Sequence, residues 1–190
     1  MKILVEISAR HIHLSKHDFE VLFGQNAELT IRKNLSQPGQ FVSHQRIDII
    51  GPKNEIKNVS ILGPLRNQTQ VEISLTDARK LGINAPIQNS GDILNSPGCT
   101  LVGPNGQLTL STGVIVAKRH IHLDKNSAAN FNLNDNQIVN VKIQSENRSL
   151  IFDDVVVRVN DNFSPAMHID TDEANAAGIT SNVLGEILLK

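Results

Sequence analysis

Two copies of a histidine motif are the residues in this sequence most suited to chemistry. Arg10-His11-Ile12-His13-Leu14 recurs as Arg119-His120-Ile121-His122-Leu123. Each copy follows a short apolar run that predicts a β-strand. In a strand, the two imidazoles of His-x-His point to the same face, about 6.6 Å apart along the backbone. That spacing allows a two-point chelate for one divalent metal ion, while the intervening isoleucine points to the opposite face, toward a core.

A second, weaker repeat supplies further candidate ligands. The segment from Val71 to Ala78 aligns with that from Met167 to Ala174, and in this register Glu72 matches His168. Together with the two histidine pairs, these residues provide three donors for each of two metal ions. Imidazole and carboxylate donors that leave a fourth position open are typical of catalytic zinc. The repeat does not decide whether Glu72 completes the first histidine pair or the second.

Basic side chains near these motifs are candidate anion-binding groups. Arg66 lies in a turn just upstream of Glu72, and a guanidinium beside a metal ligand can bind phosphate through a fork of two hydrogen bonds. Arg10 and Arg119 flank the histidine pairs. We expect each of them either to bind an anion or to brace the end of its strand through a salt bridge.

The composition predicts the kind of fold that must position these groups. The chain has 190 residues, is 39% hydrophobic, and contains six Phe but no Trp or Tyr, so Ile, Leu and Val must build the core and favour strands. Ser15 and Asp124 follow the histidine motifs and predict helix N-caps. We therefore expect a mainly β protein with short helices, in two small antiparallel β-barrels related by the internal repeat.

Charge and cysteine content exclude several classes of function. A net charge of −1 and the lack of Trp and Tyr argue against a nucleic-acid-binding surface. Cys99 is the single cysteine, so no internal disulfide forms, and we expect a small buried thiol rather than a nucleophile. His17 and His44 are expected at the surface. No apolar run approaches the ~20 residues that span a bilayer.

The motifs together resemble the PduL family of phosphate acyltransferases over nearly the whole chain. The resemblance rests on Ser8–Ser15, on Lys118–Leu123, and on Gly63–Arg66 followed by Val71–Ser74. It implies a homodimer whose subunits have two β-barrels, with two zinc ions bound between the barrels. It implies phosphate binding by Arg66. The zinc ligands that it implies are His11, His13, Glu72, His120, His122 and His168.

The family also implies how the chain is divided. One barrel would be inserted after the first strand of the other, so that residues 10–117 form the inserted barrel and residues 1–9 with 118–190 form the other, with the active site between them. The repeat alone would divide the chain into two halves. Microcompartment members often carry an N-terminal amphipathic extension, and here the first strand is expected to begin near Lys2. We therefore expect a cytoplasmic enzyme.

The reaction implied by the resemblance is phosphotransacylation. A short-chain acyl-CoA, propanoyl-CoA or acetyl-CoA, and phosphate would be interconverted with the acyl phosphate and CoA by direct attack of phosphate on the thioester. Lys118 and Arg119 are candidates to bind the phosphates of CoA. One alternative is a two-metal hydrolase of phosphoesters or thioesters with the same ligands. Another is a non-catalytic, metal-stabilised barrel, which the open ligand positions disfavour.

Overall fold

The computed structural model describes residues 1–189, and this part of the chain is mainly β with four short helices, as predicted. The helices are α1 (Lys16–Phe23), α2 (Leu75–Leu81), α3 (Lys125–Phe131) and α4 (Thr171–Ala177). The strands are β1 (Lys2–Ile7), β2 (His11–His13), β3 (Ile31–Asn34), β4 (Phe41–Ile50), β5 (Glu55–Gly63), β6 (Gln70–Glu72), β7 (Ile87–Gln88), β8 (Thr100–Val102), β9 (Gln107–Thr109), β10 (Val114–Ala117), β11 (His120–Leu123), β12 (Ile138–Ile143), β13 (Leu150–Val159), β14 (Ala166–Ile169) and β15 (Val183–Leu188).

The chain forms two compact units. Unit 1 consists of Met1–Ala9, Ser36–Pro38 and Lys118–Lys190, and unit 2 consists of Arg10–Leu35 and Gly39–Ala117. The short segment Ser36–Pro38 belongs to unit 1, although it lies within the range 10–117 that was predicted for the inserted barrel. Gln37 holds it there, because its buried side-chain amide donates to the Ser164 carbonyl and accepts from the Ser164 N–H.

Unit 1 is a closed six-stranded barrel. Its strands follow one another in the order β1-β14-β11-β13-β12-β15, and β15 pairs with β1 to close the ring. Side chains at alternate positions of these strands fill the interior, including Val5, Ile121, Val141 and Met167, none of which exposes any surface. This alternation is the pattern expected of a small barrel whose interior is filled by side chains.

Unit 2 is a nine-stranded sheet with a separate core. The strand order is β7-β10-β6-β2-β5-β4-β8-β9, and β3 pairs with β4 beside this path. Ile12, Leu14 and Leu22 are fully buried in its core. In residues 1–189 this sheet forms a half-barrel, so the prediction of two small β-barrels holds as one closed barrel and one half-barrel.

Both sheets combine antiparallel pairs, as expected of the predicted antiparallel barrels, with parallel pairs. The histidine strand β2 lies between the parallel strand β5 and the antiparallel strand β6. Its counterpart β11 lies in the same way between the parallel β13 and the antiparallel β14. A parallel neighbour requires a crossover connection, and helices α1 and α3 form part of those crossovers after each histidine motif.

The residues next to the histidine motifs behave as their types predict. Ser15 and Asp124 cap α1 and α3 by accepting hydrogen bonds from the N–H groups of Asp18 and Ser127. These caps end each histidine strand within a residue or two of its second histidine. None of the helices described in residues 1–189 is long and apolar enough to cross a membrane.

Candidate metal centres

The first cluster of possible metal ligands lies in unit 2, where β2 meets β6. His11 and His13 come from β2 and Glu72 from β6, and the antiparallel register places His11 directly opposite Glu72. His11 Nε2 is 3.5 Å from Glu72 Oε2, and His13 Nε2 is 3.9 Å from Glu72 Oε1. All three side chains are buried. The structure therefore places Glu72 with the first histidine pair, a grouping that the repeat had left undecided.

Burial and mutual charge set the ionisation states of this cluster. Burial lowers the pKa of His13 well below its usual range, and the nearby charges of His11 and Arg66 lower it further. Burial acts to raise the pKa of Glu72, but His11, His13 and a hydrogen bond from Ser90 together bring it well below its usual range. A neutral His13 beside an ionised Glu72 is the protonation state in which these groups can bind a cation.

A hydrogen-bond network orients the Glu72 carboxylate. Ser90 Oγ donates to Glu72 Oε1 at 2.7 Å, and Gln70 Nε2 donates to the same oxygen at 2.5 Å. The Gly91 N–H donates to Gln70 Oε1 at 2.8 Å, which ties the loop after β7 to β6. Such partners fix a ligating carboxylate in one orientation, and Oε2 remains directed toward His11.

The second cluster lies in unit 1, where β11 meets β14. His120 and His122 come from β11 and His168 from β14, with His120 opposite His168 in the antiparallel register. The ring centroids are 4.6 Å apart for His120 and His122, 5.3 Å for His120 and His168, and 5.0 Å for His122 and His168. The arrangement repeats that of the first cluster, with an imidazole in place of the carboxylate.

Neighbouring groups orient the rings of the second cluster. His120 Nδ1 lies 2.7 Å from the Lys118 carbonyl, and because a carbonyl only accepts, Nδ1 is the donor; in the neutral imidazole this leaves the lone pair on Nε2. Phe163 packs on His122 with ring centroids 4.0 Å apart. Glu6 lies opposite His168 across β1 and β14, and its Oε2 is 3.9 Å from His168 Nδ1.

Both clusters have a donor set that suits zinc. In each, one donor atom from every residue lies within 4.8 Å of the other two. Zinc–ligand bonds at tetrahedral angles place neighbouring donors about 3.4 Å apart, so small side-chain rotations bring either cluster to that geometry. The first cluster offers two nitrogens and a carboxylate oxygen, and the second offers three nitrogens. Three protein ligands leave a fourth position for a substrate.

Arg66 lies beside the first cluster. Its backbone N–H donates to the Leu14 carbonyl at 2.8 Å, immediately after the histidine strand, and its charge acts on His13. Next to it is a groove of about 520 Å³. The groove is lined by Arg66, Asn67, Gln68, Gln70, Gly91 and Ile93. A groove that contains a guanidinium can accept a small anion, and phosphate binding by Arg66 stays a prediction.

The two arginines that precede the histidine pairs form ion pairs. Arg10 Nε lies 2.8 Å from Asp77 Oδ2, and an Arg119 terminal nitrogen lies 3.0 Å from Glu173 Oε1. Anion binding or a salt bridge that braces the strand end was expected for each of these arginines, and the structure shows the salt bridge. Lys118, which precedes Arg119 in the chain, is exposed.

The other residues considered from the sequence are placed apart from the clusters. His17 and His44 are exposed, as expected. Cys99 is buried in the core of unit 2, and burial raises the pKa of its thiol to about 12. A thiol in this state carries very little of the thiolate that acts as a nucleophile.

Sequence reasoning missed the residues that support the ligands. Gln70 could have been found, because alternation along a strand places residues 70 and 72 on one face. Ser90, Glu6 and Phe163 reach the clusters from distant parts of the chain, and no local pattern marks them. Asp77 and Glu173 occupy equivalent positions in the second repeat, which was the available signal for both.

Known proteins similar to this chain show the family to which it belongs. Residues 4–180 match the phosphate propanoyltransferase family. A phosphate propanoyltransferase of Thermotoga maritima is 50% identical over 182 residues, covering 96% of this chain and 87% of its own. A protein of the same name from Enterococcus faecalis is 52% identical, covering 97% of this chain and 87% of its own. Another from Shewanella putrefaciens is 53% identical, covering 91% of this chain and 82% of its own.

By the activity that its relatives are named for, this mainly β chain is an acyltransferase. The chain belongs to the phosphate propanoyltransferase family. The transfer of an acyl group to or from phosphate is the function that this membership supports.

Proposed function

We propose that this protein is a zinc-dependent phosphotransacylase that interconverts a short-chain acyl-CoA and phosphate with the acyl phosphate and CoA. The observation that carries the proposal is the pair of three-donor clusters, each formed where a His-x-His strand meets its antiparallel neighbour. His11, His13 and Glu72 would hold one zinc ion. His120, His122 and His168 would hold the other.

Zinc bound at these residues would supply Lewis-acid polarisation of the thioester carbonyl and charge neutralisation for phosphate and the departing thiolate. The protein's own groups perform the positioning. Arg66 binds phosphate in the groove beside the first cluster and orients one of its oxygens for attack. Gln70 and Ser90 hold the Glu72 carboxylate in place during the reaction. Orientation of this kind can account for several kcal/mol of barrier lowering.

The chemical step is an acyl substitution without a covalent enzyme intermediate. A phosphate oxygen forms a bond to the carbonyl carbon of the thioester, and the carbon–sulfur bond breaks. The electron pair leaves with sulfur, and the proton of hydrogen phosphate ends on the CoA thiol. The buried Cys99, with a thiol pKa of about 12, supports this direct route over an acyl-cysteine route.

Several finer points follow from the resemblance to the family. We propose propanoyl and acetyl groups as the acyl chains, since the relatives are named phosphate propanoyltransferases and acetyl is the next shorter acyl group. Lys118 and Arg119 remain the proposed contacts to the phosphates of CoA. A homodimer and a cytoplasmic location are likewise proposed, and size-exclusion chromatography with light scattering tests the first of these.

The test is an assay of purified protein whose zinc content has been measured. Propanoyl phosphate or acetyl phosphate is mixed with CoA, and thioester formation is followed by its ultraviolet absorbance. We expect thioester formation that scales with zinc content up to two zinc ions per chain, is lost on chelation, and returns when zinc is restored. Initial rates with the two acyl phosphates rank the acyl groups.

Three results would overturn the proposal or a part of it. Loss of acyl phosphate without thioester formation would identify the two-metal hydrolase instead. Full thioester formation by protein that holds no metal would remove the role of the clusters. A His120→Ala protein that lacks zinc at its cluster yet keeps full activity would have the same consequence for the second cluster.

A further inference from the structure

The two ion pairs beside the clusters occupy equivalent places in the repeat. Arg10 immediately precedes His11, and Arg119 immediately precedes His120. Their partners, Asp77 and Glu173, each lie five residues after the third donor of their own cluster. The same contact is therefore made twice in one chain, once with aspartate and once with glutamate.

Each carboxylate is itself held at a fixed place, the third position of a helix. The Asp77 N–H donates to the N-cap Ser74, and the Glu173 N–H donates to the N-cap Asp170. Glu173 also returns a hydrogen bond by accepting from the Asp170 N–H. Capped helix starts leave these carboxylates little freedom, so an arginine that binds one is fixed to the strand that precedes the helix.

The sheet register shows which candidate ligands lie next to each ion pair. Strands β2 and β6 are antiparallel, so the residue before β2 lies near the residues after β6, where α2 begins. The cross-strand partners at that end are His11 and Glu72. In unit 1, the Arg119–Glu173 pair closes the same end of the β11–β14 ladder, where His120 lies opposite His168.

Both ion pairs are partly buried. The Asp77 side chain is only 7% exposed, and the Arg10 side chain that contacts it is 44% exposed. The Arg119 and Glu173 side chains are 30% and 21% exposed, and the Arg119 guanidinium also lies 5.3 Å from the centre of the Phe152 ring. Partly buried pairs of this kind hold a fixed geometry better than exposed ones.

We propose that Arg10 and Arg119 are positioning residues, each of which clamps the two strands of its own metal cluster and sets the zinc affinity of that cluster. This inference rests on the proposed zinc binding. The arginines do not touch the donor atoms. They fix the spacing between the first histidine and its cross-strand partner, and a preorganised donor set binds metal more tightly than one that must be ordered on binding.

The test is competition for zinc between the full-length protein and a chelator of known affinity. Two equivalents are titrated in the wild type, Arg10→Met, Arg119→Met and the double variant. Methionine keeps an unbranched apolar stem but removes the donors. We expect each single variant to weaken one equivalent about tenfold and to leave the other unchanged, and the double variant to weaken both.

Two further variants separate positioning from a general loss of structure. Arg10→Lys keeps a donor for Asp77 and should recover most of the affinity. Arg79→Met removes an exposed arginine from α2, the helix that carries Asp77, and should change the zinc affinity of neither site. Thermal unfolding of the metal-free variants shows whether their folds are intact.

The outcomes are distinct. Wild-type protein that binds two zinc ions, with unchanged affinities in Arg10→Met and Arg119→Met, would overturn the clamp while leaving the proposed function intact. An equal fall in both equivalents in a single variant would likewise assign the arginine a general structural role. Wild-type protein that binds no zinc would overturn the proposed function, and the clamp with it.

Discussion

At the scale of single residues, Arg66 separates phosphate handling from metal binding. It lines the groove beside the first cluster and contributes no donor to it. Arg66→Ala should lower kcat/KM for phosphate by about 10- to 100-fold, because a hydrogen bond to a charged group is worth roughly 1.5–3 kcal/mol. Steady-state kinetics in the direction of acyl phosphate synthesis, with phosphate varied, measure the effect.

The effect of Arg66→Ala should be specific to phosphate. Zinc content should remain that of the wild type, and the KM for acyl-CoA should change less than the KM for phosphate. Arg79→Ala, which removes an exposed arginine, is the matched control and should leave both constants unchanged. An Arg66→Ala enzyme with wild-type phosphate kinetics would show that another group binds phosphate.

Cys99 offers a second residue-scale prediction, on the route of the reaction. Its thiol is buried and its pKa is raised to about 12 by burial. Cys99→Ala should therefore retain nearly full activity, at a cost of about 1–2 kcal/mol in stability from the lost buried atom. Steady-state rates, together with mass spectrometry of enzyme quenched during turnover, test this. An acylated Cys99 peptide, or a large loss of activity in a folded variant, would contradict direct attack.

At the scale of elements, the histidine strands depend on the side chain between their ligands. Ile121 is fully buried in the barrel of unit 1, on the face of β11 opposite His120 and His122. Ile121→Ala should lower the free energy of unfolding by about 2–5 kcal/mol, since it removes apolar atoms and leaves a cavity. Urea unfolding of the metal-free protein measures this.

A matched control exists in the same barrel. Ile151 of β13 is 54% exposed, so Ile151→Ala should cost less than about 1 kcal/mol. Comparable losses from the two substitutions would mean that the inward face of β11 is not packed as described. Ile121 anchors the strand that carries two of the candidate donors. We therefore expect Ile121→Ala to lower both the stability and the zinc affinity of the second cluster, and Ile151→Ala to leave that zinc affinity unchanged.

Element boundaries show what local sequence can predict and what it cannot. The strands at both histidine motifs and the caps at Ser15 and Asp124 were correctly predicted, because alternation and capping are local effects. Residues 150–159 form one continuous strand, β13, although polar residues interrupt its apolar pattern. The polar pair Asp153-Asp154 looks like a turn in sequence, but Asp154 adopts a positive φ of 54° within an irregular stretch of the β12–β13 ladder.

At the scale of the whole molecule, the internal repeat predicted more than composition did. It located all six candidate donors, because each cluster uses the same two positions of a histidine strand and the same position of its antiparallel neighbour. It could not predict which third donor joins which pair. That grouping depends on the pairing of β2 with β6 and of β11 with β14, which are contacts between residues far apart in sequence.

The difference in closure between the two sheets also could not be predicted from the sequence. The two copies of the repeat have the same local pairing around their histidine strands, yet one sheet closes and the other stays open. In unit 1, β15 pairs with both β1 and β12 and completes the ring. Closure depends on such non-local partners and on register, which a pattern of short apolar runs does not specify.

The stability of the molecule should depend on pH through Glu173. Burial raises the pKa of its carboxyl to about 7, more than the nearby Arg119 lowers it. The folded protein therefore binds this proton more tightly than the unfolded chain, in which a glutamate has its ordinary pKa of about 4.3. It follows that the contribution of Glu173 to stability falls as the pH rises from about 4.5 to about 7 and is fully lost above that range.

The substitution Glu173→Gln removes this titration and tests its sign. We expect the stability of Glu173→Gln relative to the wild type to increase by up to about 3 kcal/mol between pH 5 and pH 8, because only the wild type must ionise a buried carboxyl. Urea unfolding of metal-free protein at the two pH values measures it, and metal-free conditions keep pH-dependent zinc binding out of the comparison. Asn175→Gln, at an exposed position of α4 without a titratable group, should show a difference from wild type that does not change with pH. A relative stability of Glu173→Gln that falls with pH would mean that Arg119 dominates, with the carboxylate ionised and stabilising at neutral pH.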